Sequence, residues 1–170
     1  HEHANFVKKS IFPAETIAWT ATIRAMVYAA ISFGTLLVVR LVTVHYVSPM
    51  TLLAPLVIMP FVLLMLGICW FLMALGAFTR DVSHLMVAIV PLLMFGTPVF
   101  FQIEQLPANL QPWFRLNVVG DFIAMLRDLV IYERLPNPWL YGACFVAAYA
   151  MFLFGYRFFK EYKSVLVDVI

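Results

Sequence analysis

The sequence predicts an all-α integral membrane protein, and three observations carry that prediction. The 170 residues are 64% hydrophobic and 12% charged, whereas a soluble domain carries about 25% charged residues. Its apolar runs, separated by isolated charges, reach the roughly 20 residues that a helix needs to cross a bilayer core about 30 Å thick. The chain also holds 16 Phe, 9 Met, 7 Tyr and 4 Trp, residue types that suit membrane interfaces and packed helical surfaces. A net charge of +2 gives no reason to expect nucleic acid as a partner.

Taken in order, the charges divide the chain into one transmembrane domain with four spans. Residues 1–14 form a short N-terminal helix. Asn5 caps it, Phe6 and Phe12 give it apolar contacts, Lys8 and Lys9 stay solvated, and Pro13 ends it. The first span, 17–46, carries Arg24 and Arg40 about 24 Å apart along a helix, so both can snorkel to opposite interfaces. The second, 51–79, holds no charged residue; Pro55 and Pro60 kink it in a way that membrane helices tolerate when neighbours satisfy the freed carbonyls. The third, 84–102, follows a charged turn at Arg80, Asp81 and His84. The fourth is 138–157, with a tail at 158–170.

Between the last two spans, residues 103–133 are too short and too charged to cross. Leu106-Pro107 and Pro112-Trp113 mark turns, and Asp121 and Asp128 share a helix face beside Arg127. One reading is an amphipathic helix resting on the membrane. The other is a re-entrant, half-length helical pair, which is viable only if buried in protein or lining a water-filled cavity. With four spans, both termini lie on one side. That side would hold Lys8, Lys9, Arg24, Arg80, Arg157, Lys160 and Lys163, against Arg40, Arg115, Arg127 and Arg134 opposite. This asymmetry places the termini in the cytoplasm and 103–133 outside. The opening HEHANFVKK reads as the middle of a longer protein.

The sequence contains no phosphate loop, no HExxH and no CxxC pair, so catalysis, a nucleotide site and a metal site are not expected. Cys69 and Cys144 sit in apolar runs, as packing thiols do. His84 beside a span end reads as an interfacial residue, and Asp81 suits the positive end of a helix dipole. The third span is rich in Met86, Met94, Phe95, Phe100 and Phe101. These side chains are either plain packing surface or the wall of a channel, where rings present faces to the C–H groups of sugars.

Several pieces together resemble a known family. They are Asn5, Lys8, Lys9, Phe12, Pro13 and Glu15 ahead of a span; the F-x-R-D-V-x-H turn at 78–84; and T-P-V-F-F at 97–101 followed by Leu106-Pro107. Leu116-Asn117, Arg127 and the tail at 159–170 complete the set. In this order they resemble the permease subunits of type-2 ABC exporters, in the branch that exports lipid-linked polysaccharides such as O-antigen, capsule and teichoic acid precursors. The likeness covers the whole chain but lacks the family's N-terminal third. The family often has Asn-Pro where Asn117-Val118 stands, and Ser-Pro where Thr97-Pro98 stands.

The resemblance implies a homodimer in the bacterial inner membrane that carries lipid-linked polysaccharide. Two separate ATPase subunits would bind ATP and Mg, with no cofactor in this chain. Residues 1–14 would be the cytoplasmic coupling helix, contacting the ATPase through Asn5, Phe6, Lys8, Lys9, Phe12 and Pro13 together with Arg80 and Asp81. Met86, Met94, Phe95, Phe100 and Phe101 would line the channel. Leu106, Pro107, Trp113, Asp121 and Arg127 would form an extracytoplasmic gate, with Arg127 facing the pathway or pairing with an acid. A type-2 permease for a drug, lipid or ion, and a non-transporting membrane scaffold, are the alternatives.

Overall fold

The computed structural model describes residues 15–78 and 81–169, and every regular element among them is helical. Helix α1 is Glu15–Val44, followed by a 3-10 turn at Pro49–Leu53. Then come α2 (Ala54–Phe78), α3 (Asp81–Gly96), a 3-10 turn at Ile103–Gln105, and α4 (Gln111–Phe114). Helix α5 (Val118–Arg127) runs directly into a π-helical turn at Asp128–Tyr132, and α6 (Pro138–Val169) closes the chain. Among the described residues, three stretches are long and apolar enough to cross a membrane: Thr16–Val44, Pro49–Gly76 and Pro138–Tyr162.

Helices α2 and α6 form the centre, and they run in the same direction. The register is visible in the pairs they make: the Tyr141 hydroxyl meets the Leu56 carbonyl, Gly155 meets Gly67, and Phe158 meets Phe71. Small residues permit the close crossing. A Cβ on Gly155 would lie 2.0 Å from the Gly67 carbonyl oxygen, and one on Gly67 would lie 2.5 Å from that of Met151. No side chain fits either place. One turn further on, Trp70 is buried against Phe152 and Tyr156 of α6 and meets Trp19 of α1 edge-on at 6.2 Å.

Helix α1 packs antiparallel to α2. Ala18 joins the cluster around Leu66, Trp70 and Phe159, while Phe33 and Leu37 meet the cluster around Val57 and Leu64. The tight connection works because Ser48, in extended backbone, caps the 3-10 turn by accepting from the Met50 N–H, and Pro49 supplies its first position. Proline also shapes α2. Pro60 has no N–H, so the Leu56 carbonyl loses its helical partner. The Tyr141 hydroxyl donates to that carbonyl at 2.9 Å and replaces it.

Helix α3 departs from its expected length. The sequence suggested a span over 84–102, but the helix has 16 residues and stops at Gly96, so it measures about 24 Å against a core of about 30 Å. The stop has a local cause. Thr97 precedes Pro98, and a residue before proline is pushed out of helical backbone. The chain turns there, with the Val99 N–H bonded to the Thr97 carbonyl at 2.7 Å. Along its length α3 exposes Leu85, Val87, Val90, Leu92, Leu93, Met94 and Phe95.

Two further boundaries differ from expectation. The half-length helical pair is unequal, since α4 is a single four-residue turn and α5 has ten residues plus its π extension. The tail after 157 is not a separate element, because α6 continues unbroken to Val169.

Candidate functional site: the clasp between the α3 exit and α5

Residues 96–102, leaving α3, are fixed against both ends of α5. At the N-terminal end, Asn117 sits in extended backbone and caps the helix, its Oδ1 accepting from the Val119 and Gly120 N–H groups at 3.1 and 3.2 Å. The same amide donates through Nδ2 to the Gly96 carbonyl at 3.2 Å and to Thr97 Oγ1 at 3.0 Å. One side chain therefore starts α5 and ties it to the end of α3. Thr97 and Pro98 are buried there, and the Pro98 ring fills the space above Gly120, where a Cβ would lie 2.7 Å from Pro98 Cδ.

At the other end of α5, Arg127 spreads its guanidinium over the same turn. Nη2 donates to the Pro98 carbonyl at 2.6 Å and to the Val99 carbonyl at 2.9 Å, and Nη1 donates to Phe101 at 3.1 Å. A planar fork of fixed donors suits this task better than an ammonium would. These carbonyls lack helical partners because the helix has ended, and Arg127 supplies them. Its charge also lies in the last turn of α5, where the helix dipole favours a cation.

The inward face of α5 is anchored to the bundle. Phe122, Met125 and Leu129 are buried with Val57, Leu64, Cys144 and Ala148, and the Phe122 ring meets Phe61 at 5.6 Å. Asp121 is buried on the same face, with the Cys144 thiol 3.9 Å from its Oδ2. Burial pushes the Asp121 carboxyl above its ordinary range, opposed by the charge of Arg115 and by the thiol. Past the π turn, Arg40 of α1 reaches Glu133 at 3.3 Å and the Ile131 carbonyl at 3.3 Å. Glu133 holds a left-handed φ of 56°, a conformation that a neighbouring contact must support in a residue other than glycine.

The sequence-derived site residues fall in different places. Asn5, Phe6, Lys8, Lys9, Phe12, Pro13 and Arg80 lie outside the described residues, and Asp81 is the first residue of α3. Met94, Phe95 and Phe100 are exposed, whereas Met86 is half-buried. Phe101 is also half-buried, edge-on to Phe114 at 5.4 Å. Leu106 and Pro107 shape the loop between α3 and α4 through their carbonyls: Leu106 accepts from Gln111 Nε2, and Pro107 from the Leu110 and Gln111 N–H groups. Trp113 is exposed. Arg127 and Phe101 are brought to one turn, while Asp121 faces the other way, into the bundle.

Sequence reasoning passed over the structural roles of Asn117, Gly120, Glu133 and Arg40. An asparagine just ahead of a short apolar-periodic run is a capping signal, and it was there to be read. Arg40 was expected to snorkel to an interface; the contact its guanidinium makes with Glu133 just ahead of α6 was not foreseen. Among the described residues no group of His, Cys, Asp and Glu could hold a metal ion. No protein-family model matches the sequence, and no curated protein matches it significantly.

Proposed function

We propose that this chain is the membrane subunit of an ATP-driven ABC exporter of the type-2 class, moving lipid-linked polysaccharide across the bacterial inner membrane. The observation that carries the reading is the clasp. A helix of apolar and aromatic surface is joined through Asn117 and Arg127 to a half-length helix seated in the protein. Irregular backbone of this kind at membrane depth survives only where protein buries it or a wet cavity meets it. In this reading α3 and its exit turn are the wall of a path formed between two copies of the chain, and residues 103–133 are the outer gate. Residues 1–14 couple the spans to an ATPase partner, which supplies the energy because this sequence has no phosphate loop.

In the four-span arrangement, α3 together with its exit turn forms the third crossing, and both ends of the chain lie in the cytoplasm. The test is to purify the chain with an ATPase that co-isolates with it and to measure hydrolysis. Substituting Phe12 or Lys9 is expected to change the ATPase rate of the complex. An unchanged rate removes the coupling role, and failure to co-isolate with any ATPase bearing a phosphate loop favours a scaffold. If a drug, lipid or ion rather than a polysaccharide precursor stimulates hydrolysis, the cargo assignment changes while the transporter class stands.

A further inference from the structure

A groove of about 470 Å³ opens between the start of α2, the π turn and the start of α6. Its walls include Leu53, Leu56, Val57, Leu129, Leu135 and Tyr141. Since α2 and α6 are parallel and both membrane-suited stretches begin here, at Pro49 and Pro138, the groove sits at one edge of the apolar belt. Tyr132 and Trp139 are exposed around it, as aromatic residues are at the headgroup level.

The groove has little to offer a polar ligand. Its one side-chain hydroxyl, that of Tyr141, already donates to the Leu56 carbonyl. The rim, however, is charged. Arg134 immediately precedes Leu135 in the wall, is exposed, and lies with its guanidinium 6.0 Å from the Tyr132 ring centre. The adjacent acid, Glu133, is engaged by Arg40, and Arg134 adds a cation next to the groove wall. An apolar slot below a cation at the membrane boundary complements an acyl chain below a phosphate.

We propose that this groove binds one glycerophospholipid, with an acyl chain along Leu56, Leu129 and Leu135 and its phosphate at Arg134. The site prefers anionic headgroups, because their phosphate charge is left for Arg134, whereas a zwitterionic lipid offsets it with its own cation. This assignment is independent of transport and requires only that the helices sit in a bilayer.

The experiment places the photocrosslinker p-benzoylphenylalanine at Leu135 in the full chain, with Leu53 on the facing wall as a second position. The protein is reconstituted in vesicles of equal parts phosphatidylcholine and phosphatidylglycerol, and the adducts are weighed. Position Val146, exposed on α6, reports bulk lipid. At Leu135 and Leu53 the phosphatidylglycerol adduct is expected to exceed its bulk proportion about fivefold, the pull of one basic side chain on an anionic lipid. Arg134→Ala should return it to the proportion seen at Val146. Bulk proportions at both groove positions in the unsubstituted background would overturn the proposal. So would a crosslink from Leu135 to a second copy of the chain, which would make the groove an interface between protomers.

Discussion

Arg127 Nη2 lies 2.6 Å from the Pro98 carbonyl oxygen, joining the end of α5 to the turn that terminates α3. The same guanidinium serves Val99 and Phe101, so one residue satisfies three carbonyls that the broken helix leaves open. With Asn117 at the other end of α5, the turn is held from both ends of that helix. Helix α3 packs little on the rest of the chain, and its position therefore depends on this clasp.

Arg127→Ala is expected to cost about 2 kcal/mol, in the range for hydrogen bonds to a charged group, and to free the turn. Arg127→Lys keeps the charge but not the fork, so it should recover only part of the loss. Cysteine accessibility at Val99→Cys in vesicles, compared with and without Arg127→Ala, reads the loosening separately from global stability. Unchanged labelling in the alanine variant would mean that Asn117 alone holds the turn.

The α2–α6 crossing sets a second expectation. A methyl group at Gly155 meets the Gly67 carbonyl, a backbone atom that cannot rotate away. Gly155→Ala should therefore force the helices apart at a cost of about 1–3 kcal/mol, the usual penalty of overpacking. Gly142 lies on the same helix with nothing within 4 Å of its Cβ position. Gly142→Ala should be neutral, or stabilising by up to about 1 kcal/mol through helix propensity. Unfolding in mixed detergent micelles, followed by circular dichroism, compares the two variants directly.

The contrast between these glycines shows which parts of the molecule can be read from sequence. Hydropathy and charge spacing place α1, α2 and the start of α6 within a few residues, because the bilayer requirement acts on each helix separately, while the C-terminal end of α6 runs well past the expected 157. Proline context marks turns, but the same rule applied at Thr97-Pro98 would have ended α3 at Gly96 rather than at 102. What stays hidden is long-range. Nothing local distinguishes Gly155 from Gly142, or tells that Arg40 meets Glu133, or that the open carbonyl below Pro60 is answered by Tyr141. The acid on α5 was likewise visible as an acid, while its direction, inward to Cys144, depends on how α5 lies across the bundle.

Asp121 carries a pH dependence whose sign follows from that inward direction. Burial raises its folded-state pKa above the ordinary value of 3.8, so the folded chain holds the proton more tightly than the unfolded chain does. The protonated form is then favoured by folding. This contribution is fully present below the ordinary value and is lost as pH rises through the raised one. Relative to Asp121→Asn, the unsubstituted chain should gain stability on acidification from neutrality toward the ordinary carboxylate range. Parallel melting curves across that window measure it. A stability difference between the two that does not change with pH would show that the folded and unfolded carboxyls titrate alike.

The Tyr141 hydroxyl provides the sharpest energetic test, because its partner exists only on account of a proline. Tyr141→Phe leaves the Leu56 carbonyl unanswered, since Pro60 offers no N–H. The expected cost is about 0.6 kcal/mol, rising to about 1.7, the span measured for hydrogen bonds between membrane helices. In a Pro60→Ala background the alanine N–H can reach Leu56 along the helix, and the same Tyr141→Phe substitution should then cost close to nothing. The double-mutant cycle isolates this coupling from the packing of the ring, which both tyrosine and phenylalanine retain. An equal cost in both backgrounds would mean that α2 bends at Pro60 for reasons of its own and that Leu56 stays open with or without the proline.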